Sequence, residues 1–224
     1  MYRGLAFESG SPDKWSAPDG PAASGKGTLA AGLAAQYRLP HLDTGQLYRA
    51  VGLTVAPYLE APDFEARAAA AARALDPTHL DAKRLGTAEA AVLASRVARI
   101  EDVRGALRQF QRDFAHQSGG AVIDGRDIGT RICPDAEVKL FITAQTDVRA
   151  DRRAAQLQAR GIDVDRDEIF RQIAARDEND RNNPAGAFYR APDAHLLDTT
   201  ELDIEAALRA AIAIVEEAKA CKAR

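Results

Sequence analysis

The run Asp19-Gly20-Pro21-Ala22-Ala23-Ser24-Gly25-Lys26-Gly27-Thr28 decides how this 224-residue chain reads. Gly20, four intervening residues and then Gly25-Lys26 reproduce the spacing of a phosphate-binding loop, or P-loop. Glycine reaches positive φ at little steric cost and lets backbone approach a ligand closely. Successive amide N–H groups in such a loop turn inward and form a cradle for anionic oxygens. The helix that follows adds the positive end of its dipole. Lys26 adds a mobile point charge that can follow a phosphoryl group in transit. Gly20, Pro21, Ala22, Ala23, Ser24, Gly25, Lys26, Gly27 and Thr28 are therefore expected to hold the phosphates of a nucleoside triphosphate.

Just upstream the pattern is less regular. A P-loop needs an apolar strand before it, but Asp13-Lys14-Trp15-Ser16-Ala17-Pro18 is polar, and Pro18 has no N–H for a sheet ladder. Leu5-Ala6-Phe7 is apolar but stands too early. Two readings stay open: an irregular strand, or a first 18 residues that are not native because of a frameshift or a misplaced start.

Downstream, helix and strand patterns alternate, which predicts an α/β fold with a parallel sheet. Helices are expected over 28–37, 46–59, 65–75, 88–99, 103–114, 147–160, 166–176 and 204–220. The last of these carries Leu208, Ile212 and Val215 on one face. Short apolar strands are expected at 39–42, 121–123, 138–143 and 196–197. The Ala-rich run from Ala66 to Ala74 reads as ordinary helix, with loose packing that suits a mobile element. The polar motifs fall at strand ends, where ligands sit in open α/β sheets.

Composition removes several classes. Thirty Lys and Arg against 33 Asp and Glu leave a net charge of −3, which argues against a globally basic nucleic-acid binder but leaves room for a local cationic pocket. Cys133 and Cys221 form neither a disulfide framework nor a metal-ligand spacing, as expected in a reducing cytoplasm. No run approaches the roughly 20 apolar residues of a membrane span, and residues 1–15 hold no continuous apolar stretch of a signal peptide.

Three further constellations suit phosphate chemistry. Asp43-Thr44-Gly45-Gln46-Leu47-Tyr48-Arg49 sets Arg49 about a turn past a Gly turn, where a guanidinium can grip a phosphate bidentately. The plainer reading makes Asp43 a helix cap and Arg49 a surface residue. Asp124-Gly125-Arg126-Asp127 follows a buried-type strand, and Asp124 is a Walker-B-like carboxylate able to hold Mg²⁺ directly or through water. Arg149, Arg152 and Arg153 have helical spacing that puts them on one face, where they could close over transferring phosphates. The alternative is a solvated face paired with Asp147 and Asp151.

Taken together these segments resemble the bacterial cytidylate kinases. Lys26-Gly27-Thr28, in place of Ser or Thr directly after the Lys, is similar to nucleoside-monophosphate kinases rather than GTPases. The resemblance runs from Asp19 to about Ala220 and includes Asp43–Arg49, Ser95-Arg96-Val97-Ala98, Asp124–Thr130, Gln156-Leu157-Gln158, Arg176-Asp177 and Leu197-Asp198-Thr199-Thr200. It implies a three-layer P-loop fold with a five-stranded parallel sheet, a nucleoside-monophosphate-binding insertion over 46–116 and a lid over 148–190. It also implies a cytoplasmic monomer that uses ATP and Mg²⁺ to phosphorylate CMP and dCMP, with no nucleic-acid or membrane partner.

On this reading Lys26, Arg126, Arg149 and Arg153 would act in catalysis. Asp43, Thr44, Arg49, Ser95, Arg104, Arg126, Asp127, Arg176 and Asp180 would bind substrate. Within that set Arg49 and Arg126 would hold the CMP phosphate, Ser95, Arg104 and Asp127 would read cytosine, and Arg176 and Asp180 would lie near the pentose. Cytosine's N4 amino group suits Asp127 and its N3 and O2 acceptors suit Arg104, whereas uracil would set O4 against the carboxylate. An unpaired buried polar group costs roughly 1–3 kcal/mol, which predicts one to two decades in favour of CMP over UMP. The family usually has Arg where this chain has Asn183, and Arg181 or Arg190 are candidates to replace it. Rival readings are a kinase for UMP, AMP or shikimate on the same fold, a nucleotide-binding protein without catalysis, and an RNA-binding module built on the arginines.

Overall fold

The computed structural model describes residues 16–77, 80–183 and 188–222. Residues 5–7 and 13–15, part of the irregular start, lie outside them. The described strands are β1 (Ser16–Asp19), β2 (His41–Asp43), β3 (Val122–Asp124), β4 (Val138–Thr143) and β5 (His195–Asp198). They form a parallel sheet in the order β2-β3-β1-β4-β5.

The segment before the P-loop is thus a strand, and a central one, and of the two readings left open it fits the irregular strand. The N–H and C=O of one residue point to the same neighbouring strand, so Pro18 removes a ladder bond on one side only. On the β4 side the register runs from Ser16 opposite Val138 to Asp19 opposite Phe141. On the β3 side it is reduced to Ser16 opposite Val122, with the Gly125 amide donating to Pro18 O at 3.2 Å beyond it. Small side chains suit this position, because Ala17 is fully buried between the helical layers.

Nine helices are described: α1 (Lys26–Tyr37), α2 (Thr44–Val55), α3 (Phe64–Arg73), α4 (Ala82–Leu85), α5 (Ala88–Val97), α6 (Glu101–Ala115), α7 (Thr146–Gln158), α8 (Arg166–Arg181) and α9 (Ile204–Lys222). The predicted helix at 46–59 ends earlier, at Val55, and continues as a single 3₁₀ turn over Ala56–Tyr58. The helix predicted to stop at Arg176 runs on to Arg181, which brings Asp180 onto its last turn. The Ala-rich run is α3, and Ala68, Ala69 and Ala72 give it a flat face that packs closely.

Two cores flank the sheet. Leu29 and Leu33 of α1 with Ala207, Ala211 and Val215 of α9 cover one face over Val122, Leu140 and Ile142. Leu47 and Val51 of α2, Val97 of α5 and Val103 and Leu107 of α6 gather on the other around Ile123 and Ile128. The α7–α8 hairpin has a small cluster of its own, Ala150, Ala154, Ile169 and Ile173. No helix among the described residues is long and apolar enough to cross a membrane.

Candidate active site

The register brings the chemistry to one edge. Asp43 lies opposite Asp124 in the β2–β3 pair, and Asp19 ends the adjacent β1, so three carboxylates mark the carboxyl ends of neighbouring strands. The chain winds away from β1 in both directions across the sheet, which makes this a topological switch point with a crevice above it.

The P-loop leaves β1 at Asp19 and enters α1 at Lys26. A Cβ at Gly20 would lie 2.2 Å from Ile142 O, so only glycine fits against β4 there. Gly25 has φ +86°, and Ala23 takes φ +59° despite its Cβ. A Cβ on Gly25 or Gly27 would meet nothing within 4 Å, so the backbone here faces open space at a helix N-terminus. Ser24 Oγ is buried without a hydrogen-bond partner. Lys26 Nζ lies 3.8 Å from Asp124 Oδ1. Burial, with help from Arg126, pulls the Lys26 ammonium down to about 8.

Asp124 is buried and held in place. His41 Nε2 meets its Oδ2 at 2.8 Å, and Thr44 Oγ1 donates to its main-chain oxygen at 2.9 Å. Its Oδ1 has no hydrogen-bond partner. An orphaned carboxylate oxygen facing a lysine across a phosphate cradle fits a divalent cation carried by a polyphosphate. Among the described residues no three His, Cys, Asp or Glu side chains are placed to hold a metal ion together, so such an ion would take most of its ligands from phosphate and water. Asp19 is occupied differently. Its Oδ1 accepts from Ile128 N at 3.0 Å and its Oδ2 from Gly129 N at 2.8 Å. It thereby caps the π-type turn Ile128–Ile132 and ties the strand before the P-loop to the loop carrying Arg126 and Asp127. Burial outweighs these bonds and lifts its carboxyl to about 7.

Opposite the P-loop, one cleft collects Asp43, Thr44, Arg49, Ser95, Arg104, Arg126, Asp127, Arg176 and Asp180, together with Lys26, Ala22 and Ala23. Arg104 pairs with Asp127 at the buried end, and Arg104 Nε has no partner. Arg126 Nε donates to Asp180 Oδ2 at 2.8 Å. Arg49 donates to Leu85 O at 2.7 Å. Arg176 is half-buried, its Nε is buried and unpartnered, and desolvation with neighbouring Arg126 pulls it down to about 10. Asp43 caps α2 by accepting from Gly45 N at 2.9 Å, as the plainer reading of that motif has it, while Arg49 still faces the cleft. Ser95 Oγ donates back to Ala91 O at 3.2 Å from its place in the wall. A lowered lysine and a lowered arginine beside two further guanidiniums are the electrostatic mark of a site shaped for several anionic groups.

The three α7 arginines do not act together, which corrects the reading of one shared face. Their stems emerge within one turn, but each long side chain reaches a different set of acceptors. Arg149 donates to Ala144 O at 2.9 Å, Ala22 O of the P-loop at 3.0 Å, Thr146 Oγ1 at 2.9 Å and Asp177 Oδ2 at 2.6 Å. It is a buried brace between the hairpin and the P-loop. Arg152 binds Thr199 and Leu202 main-chain oxygens after β5. Arg153 bonds Gln156, and desolvation together with the charges of Arg49 and Arg160 lowers its pKa. Arg181 is exposed against Glu178 at 3.3 Å, so neither it nor exposed Arg190 lines the cleft in place of Asn183. Sequence reading missed His41, Tyr48, Asp177 and Phe188. His41 was visible as a polar residue two before Asp43 on the same strand face; the Phe188 ring lies 5.9 Å from the Arg126 guanidinium in a loop without periodicity.

Comparison with known proteins bears on the same residues. The chain resembles in fold a crystal structure of an uncharacterized protein from Eubacterium ventriosum, with a TM-score of 0.51, 14% identity and 91% of this chain and 99% of that one covered. It is 52% identical over 206 residues to a cytidylate kinase of Rhodopseudomonas palustris strain BisA53, covering 92% of this chain and 98% of the relative. It is 54% identical over 202 residues to a cytidylate kinase of Xanthobacter autotrophicus, covering 90% and 97%. The model of the cytidylate kinase family matches residues 17–217, from inside β1 to inside α9. With the P-loop, the carboxylate edge and the arginine cleft all inside that span, the chain belongs to the cytidylate kinase family.

Proposed function

We propose that this enzyme transfers the γ-phosphoryl group of ATP to the phosphate of CMP or dCMP, giving ADP and CDP or dCDP. The observation that carries the reading is the buried Arg104–Asp127 pair at one end of the cleft, with Lys26 and the P-loop at the other. A cytosine exchanging bonds with that pair would donate N4 to Asp127 and accept at N3 and O2 from Arg104. Its phosphate would then fall among Arg49, Arg126 and Arg176, aimed at the P-loop.

The nucleophile is an already ionised phosphate oxygen, so no general base is required. Catalysis is positioning and charge stabilisation. Gly20–Gly27 amides and Lys26 hold the donor phosphates, and Arg126 spans donor and acceptor. Asp124 Oδ1 would hold Mg²⁺, which when bound neutralises charge on the ATP phosphates. Residues 148–190, which take in most of the α7–α8 hairpin, serve as a lid that excludes water, and residues 46–116, from α2 to α6, form the acceptor-binding insertion. Arg149 supports catalysis by fixing the P-loop rather than by touching phosphate, and Arg153, near enough to feel the charge of Arg49, would reach the transferring phosphates on closure. The enzyme works as a cytoplasmic monomer.

The test is coupled ADP release with Mg-ATP and CMP, dCMP, UMP, AMP or shikimate in turn, with Lys26→Ala as control. Turnover of CMP and dCMP well above UMP, lost in the control, is expected. Folded protein without turnover on any acceptor overturns the reading.

A further inference from the structure

Asn183 stands just past the end of α8, and its Nδ2 donates to Ala98 O at 3.3 Å, across a sequence gap of 85 residues. Ala98 is the C-cap of α5, the helix that carries Ser95. The same carbonyl accepts from Arg104 Nη1 at 3.5 Å, using its second lone pair. Arg104 then holds Asp127. A connected path therefore runs from the end of the lid through Asn183 and the Ala98 carbonyl to the two residues that face the base. Asn183 and Ala98 both line the cleft.

We propose that Asn183 is a positioning residue, a latch that seats the end of the lid on the acceptor-binding insertion and couples that seating to the orientation of Arg104. The inference rests on the cytosine reading above and deepens it. A neutral amide suits the role, because the partner is a carbonyl and the nearby cleft already holds Arg49, Arg126 and Arg176. Cytosine offers Arg104 two acceptors and keeps it beside Ala98; uracil turns an N3–H toward it and holds it less well. The latch then closes better over the correct base, which is specificity through closure rather than through base contacts alone. Asn183 contributes to selection without touching the base.

The experiment compares wild type with Asn183→Ala and Asn183→Asp, the second setting a carboxylate against the carbonyl. Hydrogen–deuterium exchange of the free proteins should show faster exchange over residues 95–104 in both variants. Steady-state kinetics should show kcat/KM for CMP lowered about fivefold, the worth of one hydrogen bond, with UMP affected less, so that the CMP-to-UMP ratio narrows. Combined with Arg104→Lys, the Asn183→Ala loss should be less than additive. Unchanged exchange over 95–104, or equal losses for CMP and UMP, overturns the latch. A wild-type chain inert toward CMP would instead remove the cytosine reading, and the exchange comparison would still decide the contact between lid and insertion.

Discussion

At the P-loop the binding groups are backbone, and the surrounding residues make room for them. Gly25 and Gly27 face open space, and Ser24 Oγ and Asp124 Oδ1 are buried without partners. At the acceptor end the binding groups are side chains that already satisfy one another: Arg104 with Asp127, Arg126 with Asp180, Asn183 with Ala98. The first region is preorganised and carries unpaid desolvation in the fold itself. The second is largely paired, with Arg176 Nε still without a partner, and a substrate must exchange partners with its pairs. Rigid donors give rate; exchangeable pairs give selection. Mutations at the two ends should therefore fail differently.

The largest effect is expected at Lys26. Lys26→Met removes the mobile cation from the transferring phosphoryl group, and a loss of kcat of about 10³-fold or more is expected in the ADP-release assay. The same change should make the protein more stable. The folded ammonium titrates near 8, below its ordinary 10.5. The fold thus binds this proton less tightly than the unfolded chain does. The group contributes stability only above about 10.5 and withdraws it as pH falls through about 8. At pH 7 the methionine variant should unfold at higher urea, by at most about 3 kcal/mol, and the gain should shrink between pH 8 and 10. A variant less stable than wild type at pH 7 would show that the P-loop carries no such cost.

Next in size is the brace. Arg149→Met strands Asp177, already short of a partner at Oδ1, and breaking a buried pair from one side costs about 3–5 kcal/mol. Denaturant unfolding should show that loss. Arg149→Met combined with Asp177→Leu should recover much of the stability while kcat stays low, because Ala22 O remains unheld. Full recovery of kcat in the double variant would remove Arg149 from P-loop positioning.

At the paired end the expected effect is on choice rather than rate. Asp127→Asn replaces an acceptor with a group that can donate to O4 of uracil. CMP kcat/KM should fall about 10- to 100-fold while UMP holds or rises, narrowing or reversing the preference. A parallel fall for both nucleotides would mean that Asp127 only supports Arg104.

Much of this contrast was legible in the chain and some was not, for physical reasons. The P-loop is a local structure made from one contiguous stretch with glycines at fixed spacing, so Gly20–Lys26 declared itself. Asp124 and Arg126 were readable because an apolar strand ends at them. Arg104 and Ser95 entered only through family resemblance, because their pairing with the 124–127 loop is tertiary and leaves no local period. The brace role of Arg149 was hidden for the same reason: helical spacing places the stem, while the acceptors that capture a long guanidinium come from the P-loop, the start of α7 and α8 together. Pro18 left two readings open because its cost depends on which neighbour its missing N–H would have faced.

The smallest effect should come from Asp19, which joins the two regions by capping the 128–132 turn with both oxygens. Its carboxyl is lifted to about 7 from an ordinary 3.8, burial being the main cause and nearby Asp127 adding to it. The fold therefore binds this proton more tightly than the unfolded chain. Its contribution is fully present below about pH 4 and is lost as pH rises through about 7. Asp19→Asn removes the titration while keeping the shape, and turns one amide hydrogen toward the Ile128 and Gly129 N–H groups, a penalty of about 1–3 kcal/mol that does not vary with pH. Urea unfolding of both proteins from pH 5 to pH 8 should therefore show the wild-type advantage narrowing as pH rises and levelling off above about 7. An advantage that widens with pH would mean that the two backbone bonds outweigh burial, and that the link between the P-loop and the acceptor loop is strongest in its ionised form.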